Sequence, residues 1–171
     1  MENIVLIGCG GHARSIIDII STKDDFKIIG LIGLNEEIGK NLCGYKIIGS
    51  DEDLFQIRKN CNNVFVSIGQ IGRDNKRIKI IEKLYNFDFL YPNLISKYSI
   101  ISELSYLGKG ISIGHGSIIN SGVSIDDHCI INTKSLIEHD SIIEKYCHIS
   151  TGVLINGGVK VGMGSFIGSG A

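Results

Sequence analysis

The chain has 171 residues, with 17 Lys and Arg against 18 Asp and Glu, and a formal net charge of -1. A balance this close offers no basic face to nucleic acid or to an anionic membrane surface, and no stretch is apolar for long enough to span a bilayer. The length admits one or two domains with a real core, glycine is abundant at 22 residues and proline nearly absent at 1.

Asn3 to Ile7 is a short apolar run that reads as a buried strand. Gly8-Cys9-Gly10-Gly11-His12-Ala13 follows at once, and Ser15 to Ile20 carries a helical apolar pattern. Strand, glycine turn and helix is the setting in which backbone N–H groups at a helix start hold a phosphate, and Gly8, Gly10 and Ala13 match the G-x-G-x-x-G/A form. A dinucleotide enzyme also wants an acidic residue where the second strand ends. That strand, Phe26 to Ile32, runs into Gly33, Leu34 and Asn35, with Glu36 and Glu37 slightly late, which weakens a nicotinamide-cofactor reading. Cys9 is the only cysteine near the turn and is expected to face the core. Tyr45 to Ile48 reads as a minor strand, and Asp51 to Lys59 as a helix with Ser50 at its N-cap. Asn63 to Ile68 reads as a strand ending in Gly69, and Asp74 to Tyr85 as a basic amphipathic helix with a solvated face. Phe87 to Tyr91 leads through Pro92 into the next unit. Residues 1–92 thus alternate strand and helix, implying a Rossmann-like α/β domain with a small parallel sheet. Ligands on such sheets lie beyond the carboxyl ends of the strands, where Gly10, Gly11, His12 and Gly69 would meet.

Residues 93–171 are periodic. An aliphatic residue returns every sixth position at Ile95, Ile101, Leu107, Ile113, Ile119, Ile125, Ile131, Ile137, Ile143, Ile149, Ile155, Val161 and Ile167. The fourth residue after each is small or β-branched, from Ser99 to Ala171. A fixed short period marks units that bury a face only by stacking. A period of six suits neither a helix nor simple alternation. It suits a triangular coil of short strands with one aliphatic corner residue per side and eighteen residues per turn, about four turns in all. Glycines are expected at the corners, where positive φ is useful. Cys129 and Cys147 are eighteen apart and should stack in adjacent turns as a buried thiol ladder. Glu2 and Asn3 stand where a secretory leader would be basic, and five cysteines lack CxxC spacing. Reduced thiols and a cytoplasmic location are therefore expected. Ile137-Glu138-His139-Asp140 is the sharpest ionisable segment of the coil, whereas His115 and His128 read as surface histidines.

The coil pattern resembles the hexapeptide-repeat acyltransferases, and the glycine turn with His12 ahead of it resembles more narrowly the bacterial sugar acetyltransferases among them. That family includes UDP-4-amino-sugar N-acetyltransferases and sialic-acid O-acetyltransferase-like proteins. The resemblance implies a left-handed parallel β-helix, a homotrimer, acetyl-CoA as co-substrate, a sugar or nucleotide-sugar acceptor and no metal. By it, His139 is the general base, Asp140 its partner, His148 a contact to the acyl donor and His12 a substrate contact. Gly157, one turn from His139, leaves room for a cofactor along the coil; Ser169 lines the same groove, and Asn132 is brought toward a neighbour's His139. An imidazole suits the role because it titrates near working pH and can take the proton of an attacking amine or hydroxyl. The leading acceptor is a UDP-4-amino-4,6-dideoxy sugar. O-acetylation of a sialic-acid-like sugar, a non-catalytic sugar-nucleotide-binding or scaffold role, and a zinc hydratase using His115, His139 and His148 are the alternatives. Two departures stand out. Family members often place an acidic pair where Gly33 and Leu34 lie, and they continue for further turns beyond the equivalent of Ala171.

Overall fold

The computed structural model describes residues 1–71 and 75–171. The chain forms two units, Met1–Pro92 and Asn93–Ala171.

In the first unit, β1 (Glu2–Ile7) is an interior strand, and Ile4, Val5, Leu6 and Ile7 are buried whichever face they point to. It leads into α1 (Gly11–Ser21), which packs an apolar stripe of Ala13, Ile16, Ile17, Ile19 and Ile20. After α1 come β2 (Phe26–Ile32), β3 (Asn41–Leu42), β4 (Tyr45–Gly49), α2 (Leu54–Asn60), β5 (Asn63–Val66) and α3 (Lys76–Leu84). The sheet order is β3-β4-β2-β1-β5. All pairs are parallel except the β3–β4 hairpin at the edge, which the sequence reading lacks. The chain builds outward from β1 to β4 and then crosses to β5 on the other side. The strand order therefore reverses between β1 and β5, and a ligand crevice is expected there.

Two boundaries differ from those read in the sequence. The helix expected from Asp51 begins at Leu54, and Ser50 does not cap it. Asp53 turns its carboxylate back to accept the Ser50 N–H at 2.9 Å, and Ser50 Oγ accepts the Glu52 N–H at 3.3 Å. Those local bonds hold residues 50–53 in a turn that competes with helix. The basic helix is formed from Lys76; its expected start at Asp74 lies outside the described residues.

The second unit is a coil of two-residue strands in three parallel sheets of four, four and five strands. Strands eighteen residues apart pair in register, as Ile119 with Ile137 and Ile137 with Ile155. The aliphatic residues do not occupy the corners, as the periodicity alone suggested. Each is the inward member of a strand on a flat side, and Ile113, Ile125, Ile131, Ile137, Ile143 and Ile149 are fully buried. From Lys109 onward the corners are two-residue turns whose second residue is left-handed: Gly110, Gly116, Gly122, Gly152, Gly158, Gly164 and Gly170, but also His128, Lys134, Asp140 and Tyr146. The small residue after each corner points inward and often ties the turns together. Ser117, Ser135 and Ser141 donate to the carbonyls of Asn132, Ser150 and Asn156 at 2.7–2.9 Å. Cys129 and Cys147 do the same toward Glu144 and Gly162, both at 3.1 Å, and are reduced and buried. Hydroxyl and thiol thus serve one structural purpose at this position. The fold is a Rossmann-like α/β domain followed in the chain by a left-handed parallel β-helix.

Candidate active site

His139 and Asp140 are the two residues of one coil corner, between the strands Leu136–Ile137 and Ile142–Ile143. The Gly158 N–H donates to the His139 carbonyl at 2.9 Å, and the Asp140 N–H donates to the Ser121 carbonyl at 3.1 Å. The corner backbone is therefore held from the turns on both sides. Asp140 is left-handed with φ 59°, a conformation that the short polar side chain of Asp tolerates better than most. His139 Nδ1 lies 2.9 Å from Asp140 Oδ2. A carboxylate only accepts, so Nδ1 carries a hydrogen, and in the neutral ring the lone pair is on Nε2. Both side chains are well exposed.

Two glycines make room for this pair. A Cβ on Gly157 would lie 2.6 Å from His139 Nε2, and a Cβ on Gly122 would lie 2.5 Å from Asp140 Oδ1. The imidazole thus rests over the glycine of one neighbouring turn and the carboxylate over the glycine of the other. Glu138, beside the histidine in sequence, is engaged elsewhere and accepts from Asn120 Nδ2 at 2.7 Å.

Within one chain the remaining coil residues lie apart from this corner. Ser169 belongs to the column of corners that also holds His115, Thr133 and Thr151, linked by Lys134, Gly152 and Gly170 N–H bonds to the carbonyls of the preceding turn. Its hydroxyl meets Ser150 Oγ at 2.9 Å. Asn132 precedes a corner of that same column and accepts the Thr133 N–H at 2.8 Å. His148 is in a strand, buried to 6% exposure and edge-on to the Phe166 ring at 5.2 Å. Of the two histidines read as surface residues, one is buried and the other half-buried. His128 is 2% exposed and stacks on Tyr146; His115 is half-buried, with Nδ1 2.6 Å from Ser96 Oγ. Gly110 of the preceding turn, with no side chain, leaves the room that the His128 ring fills. Among the described residues no three His, Cys, Asp or Glu side chains converge as metal ligands.

The first unit gathers its candidates at the carboxyl end of the sheet. Gly8 follows β1 with φ 113°, and no side chain fits there, because a Cβ would meet Ile68 Cγ1 at 2.6 Å. Ser67, just past β5, fixes the turn by donating N–H to the Ile7 carbonyl at 2.8 Å and lies with its hydroxyl 2.9 Å from the Gly8 carbonyl. Gly10 is the N-cap of α1 with no side-chain cap, and Gly10 and Gly11 face open space where a Cβ would stand. Gly69 faces His12, whose Cβ is 3.6 Å from where a Gly69 Cβ would be. Gly10, Gly11, His12 and Gly69 therefore come together at the β1–β5 crevice, around the positive end of α1. Cys9 is no nucleophile. Its thiol donates to the Ile32 carbonyl, and burial, aided by the Glu37 carboxylate, pushes its pKa up to about 11.

Glu37 is the residue the sequence reading left aside. A 3-10 turn, Asn35–Glu37, folds it back so that Oε2 accepts the Leu34 N–H at 2.8 Å. The same oxygen lies 2.7 Å from where a Gly33 Cβ would stand. An acidic group thus reaches the end of β2 although Gly33 and Leu34 hold the positions of the expected pair. Its sequence signal is Glu37 three residues after the turn begins, a spacing that returns a carboxylate to the backbone.

Residues 3–84 match the family model described as the PglD N-terminal domain. Among solved structures the chain is similar to perosamine N-acetyltransferase from Caulobacter crescentus, a histidine-to-asparagine variant in complex with CoA and GDP-perosamine. The TM-score is 0.85 at 25% identity, over 99% of this chain and 87% of that one. The acetyltransferase domain of PglB from Neisseria gonorrhoeae matches with TM-score 0.88 at 22% identity, over 99% and 81%. WeeI from Acinetobacter baumannii matches with TM-score 0.70 at 18% identity, over 99% and 87%. No curated protein matches the chain by sequence. Among the described residues no helix is long and apolar enough to cross a membrane.

Proposed function

We propose that the chain is an acetyl-CoA-dependent sugar acetyltransferase that N-acetylates a nucleotide-linked amino sugar, with His139 as general base. The observation that carries this reading is the corner pair. Asp140 accepts a hydrogen bond from Nδ1–H, and in the neutral ring Nε2 is left as the acceptor on a well-exposed side chain. The acceptor amine attacks the thioester carbonyl carbon, and the carbon–sulfur bond breaks. His139 Nε2 takes the ammonium proton as the new amide forms, and the CoA sulfur leaves to be protonated in turn. The Asp140 carboxylate stabilises the positive charge that the ring gains. A positioned base of this kind contributes about 10²–10⁴-fold to rate. No covalent acyl-enzyme is invoked, in keeping with the protonated Cys9 thiol.

The glycine turn at Gly10 and Gly11, with His12 and Gly69, is assigned to the sugar-nucleotide end, Asn132 to the acceptor beside a neighbour's His139, and His148, Gly157 and Ser169 to the CoA groove. The similar Caulobacter crescentus enzyme was captured with GDP-perosamine, which supports a nucleoside-diphosphate 4-amino sugar as acceptor and puts GDP beside UDP as the carrier. A homotrimer is part of the reading. One outer face of the coil carries an aliphatic row, Ile100, Ile118, Leu136 and Leu154 in register, with Ile100 and Leu154 at 66% and 62% exposure. Such a stripe fits burial against another copy.

The test is thiol release from acetyl-CoA with UDP- and GDP-linked 4-amino-dideoxy sugars, free sialic acid and CMP-sialic acid, on the chain and on His139→Ala. Release with an amino-sugar nucleotide, lost in the variant, is the expected result. Release only with a sialic acid, or undiminished in the variant, overturns the acceptor or the base respectively.

A further inference from the structure

The residue before His139 carries a second carboxylate, and the coil holds it on a neighbouring turn. On this side of the coil the residues that follow the inward aliphatic of each strand are Ser102, Asn120, Glu138 and Asn156, and only Glu138 is charged. Glu138 is half-buried and tied to the turns on both sides. Its N–H donates to the Ile155 carbonyl at 2.9 Å in the turn after it, and its Oε2 accepts from Asn120 Nδ2 at 2.7 Å in the turn before it. Since a carboxylate only accepts, the amide nitrogen of Asn120 is the atom that meets it. An ionised acceptor makes this the stronger kind of hydrogen bond.

The consequence falls on the imidazole. The corners packed on either side of His139 bring Ser121, Gly122, Gly157 and Gly158, none of which titrates, and the next charge in that column, Glu103, is two turns away. Two carboxylates therefore flank the ring along the chain. Asp140 holds Nδ1 at 2.9 Å. Glu138 is one peptide unit from His139, about 3.8 Å between Cα atoms, on a longer side chain than that of Asp140. Released from Asn120, it can accept from the ring as well. That harms a base in two ways. A carboxylate on Nε2–H puts the lone pair on Nδ1, the nitrogen that Asp140 covers. A second negative charge also favours the protonated ring, which takes no further proton. We propose that Asn120 is a positioning residue for His139 that acts through Glu138. Its amide keeps the Glu138 carboxylate on the preceding turn, so that Asp140 alone sets the tautomer. The inference rests on the proposed acetyl transfer only in calling His139 a base.

The experiment is an NMR titration of the full chain with labelled imidazole nitrogens, alongside pH profiles of thiol release from acetyl-CoA. The proteins are the wild type, Asn120→Ala, Asn120→Leu, Glu138→Gln, and each Asn120 variant combined with Glu138→Gln. The chain has 5 histidines, and His139 is assigned by the signal missing from His139→Ala. Leucine keeps the size of asparagine without its donors, so it tests the bond where alanine loosens the coil, and thermal melts report the fold of each variant. In both Asn120 variants the His139 ring should titrate about one pH unit higher and gain Nε2–H tautomer. The acid limb of kcat/KM should move up with it, a loss of about tenfold at pH values below the limb. Glu138→Gln removes the carboxylate, so in its background the Asn120 substitutions should move neither the ring nor the limb. Loosened packing alone would not give that suppression. Titration and tautomer unchanged in both Asn120 variants, or shifted as much in the Glu138→Gln background, overturns the proposal. The two readings fail separately. A Glu138-dependent ring shift without transfer to any acceptor keeps the role of Asn120 and sinks the enzyme. Transfer with a ring indifferent to Asn120 keeps the enzyme and sinks that role.

Discussion

Replacing Gly157 with alanine is the most direct probe of the corner pair. The backbone at Gly157 is outside the left-handed region, so alanine is conformationally acceptable there. Space is the obstacle. The added Cβ would lie 2.6 Å from His139 Nε2 and 2.7 Å from Cε1, about 1 Å inside ordinary carbon contact distance. The imidazole is the exposed end of a side chain, so it gives way. In rotating off Gly157 it leaves the 2.9 Å bond to Asp140 and moves Nε2 from its place. The lost bond joins two well-exposed groups, so folding should lose no more than about 1 kcal/mol. Catalysis should lose most of what a positioned base supplies, about 10²–10⁴-fold in kcat. Thiol-release kinetics with acetyl-CoA varied would measure this, alongside a thermal melt. The displaced ring should show as a fall in kcat, and any rise in the KM for acetyl-CoA reports the part Gly157 plays in the groove. A Gly157→Ala, His139→Ala double variant should be no slower than His139→Ala alone, because both act on one group. If Gly157→Ala keeps wild-type kcat, the ring does not depend on the room that this glycine leaves. If only KM rises, Gly157 serves the cofactor groove alone and does not position the ring.

Gly122→Ala meets Asp140 Oδ1 at 2.5 Å and also forces a side chain into a left-handed residue at φ 71°, so a melt should show a loss of about 1–2 kcal/mol together with reduced kcat. Ile137→Ala removes a fully buried side chain from the middle of the coil and should cost about 2–5 kcal/mol in denaturant unfolding, the range for cavities that cannot collapse. Iodoacetamide at pH 8, followed by mass spectrometry of the intact fold, should label the exposed Cys43 and spare Cys9, whose thiol is protonated up to about pH 11; rapid labelling of Cys9 would contradict its burial. Glu144 is held below its ordinary value of 4.5, chiefly by its hydrogen bond with Lys160. Its stabilising contribution is therefore present above pH 4.5 and lost as pH falls through the lower folded value. Glu144→Gln should flatten the acid limb of the melting-temperature profile in that window, and an unchanged limb would show the pair to be inert.

Much of the architecture can be read from residue order alone. The run of buried aliphatics from Ile4 to Ile7 admits only a strand covered on both faces, and the glycine turn after it admits only a tight entry into α1. A six-residue aliphatic period repeated to Ile167 admits only a stacked coil, because no isolated turn of it buries its own face. His139 and Asp140 were legible as a pair because they are adjacent in the chain, and their bond is local. The departures come from contacts that a linear pattern does not contain. Ser50 is a good helix cap by type, yet the Asp53 carboxylate takes its N–H and moves the helix start. The left-handed corners accept His128, Lys134, Asp140 and Tyr146 as well as glycine, because bonds from neighbouring turns hold the backbone whatever the side chain.

Sequence by itself determined the two-part make-up, the coil and the identity of the histidine–carboxylate pair, since each depends on periodicity or on neighbours in the chain. Only the tertiary structure decided that Gly157 and Gly122 shelter that pair from adjacent turns. It alone returned Glu37 to the end of β2, and it alone tied Glu138 to Asn120 of the preceding turn. The reason is physical. Hydrophobic burial follows a pattern that the chain carries along its length, whereas the room around a reactive group is set by backbone that packs against it from eighteen residues away.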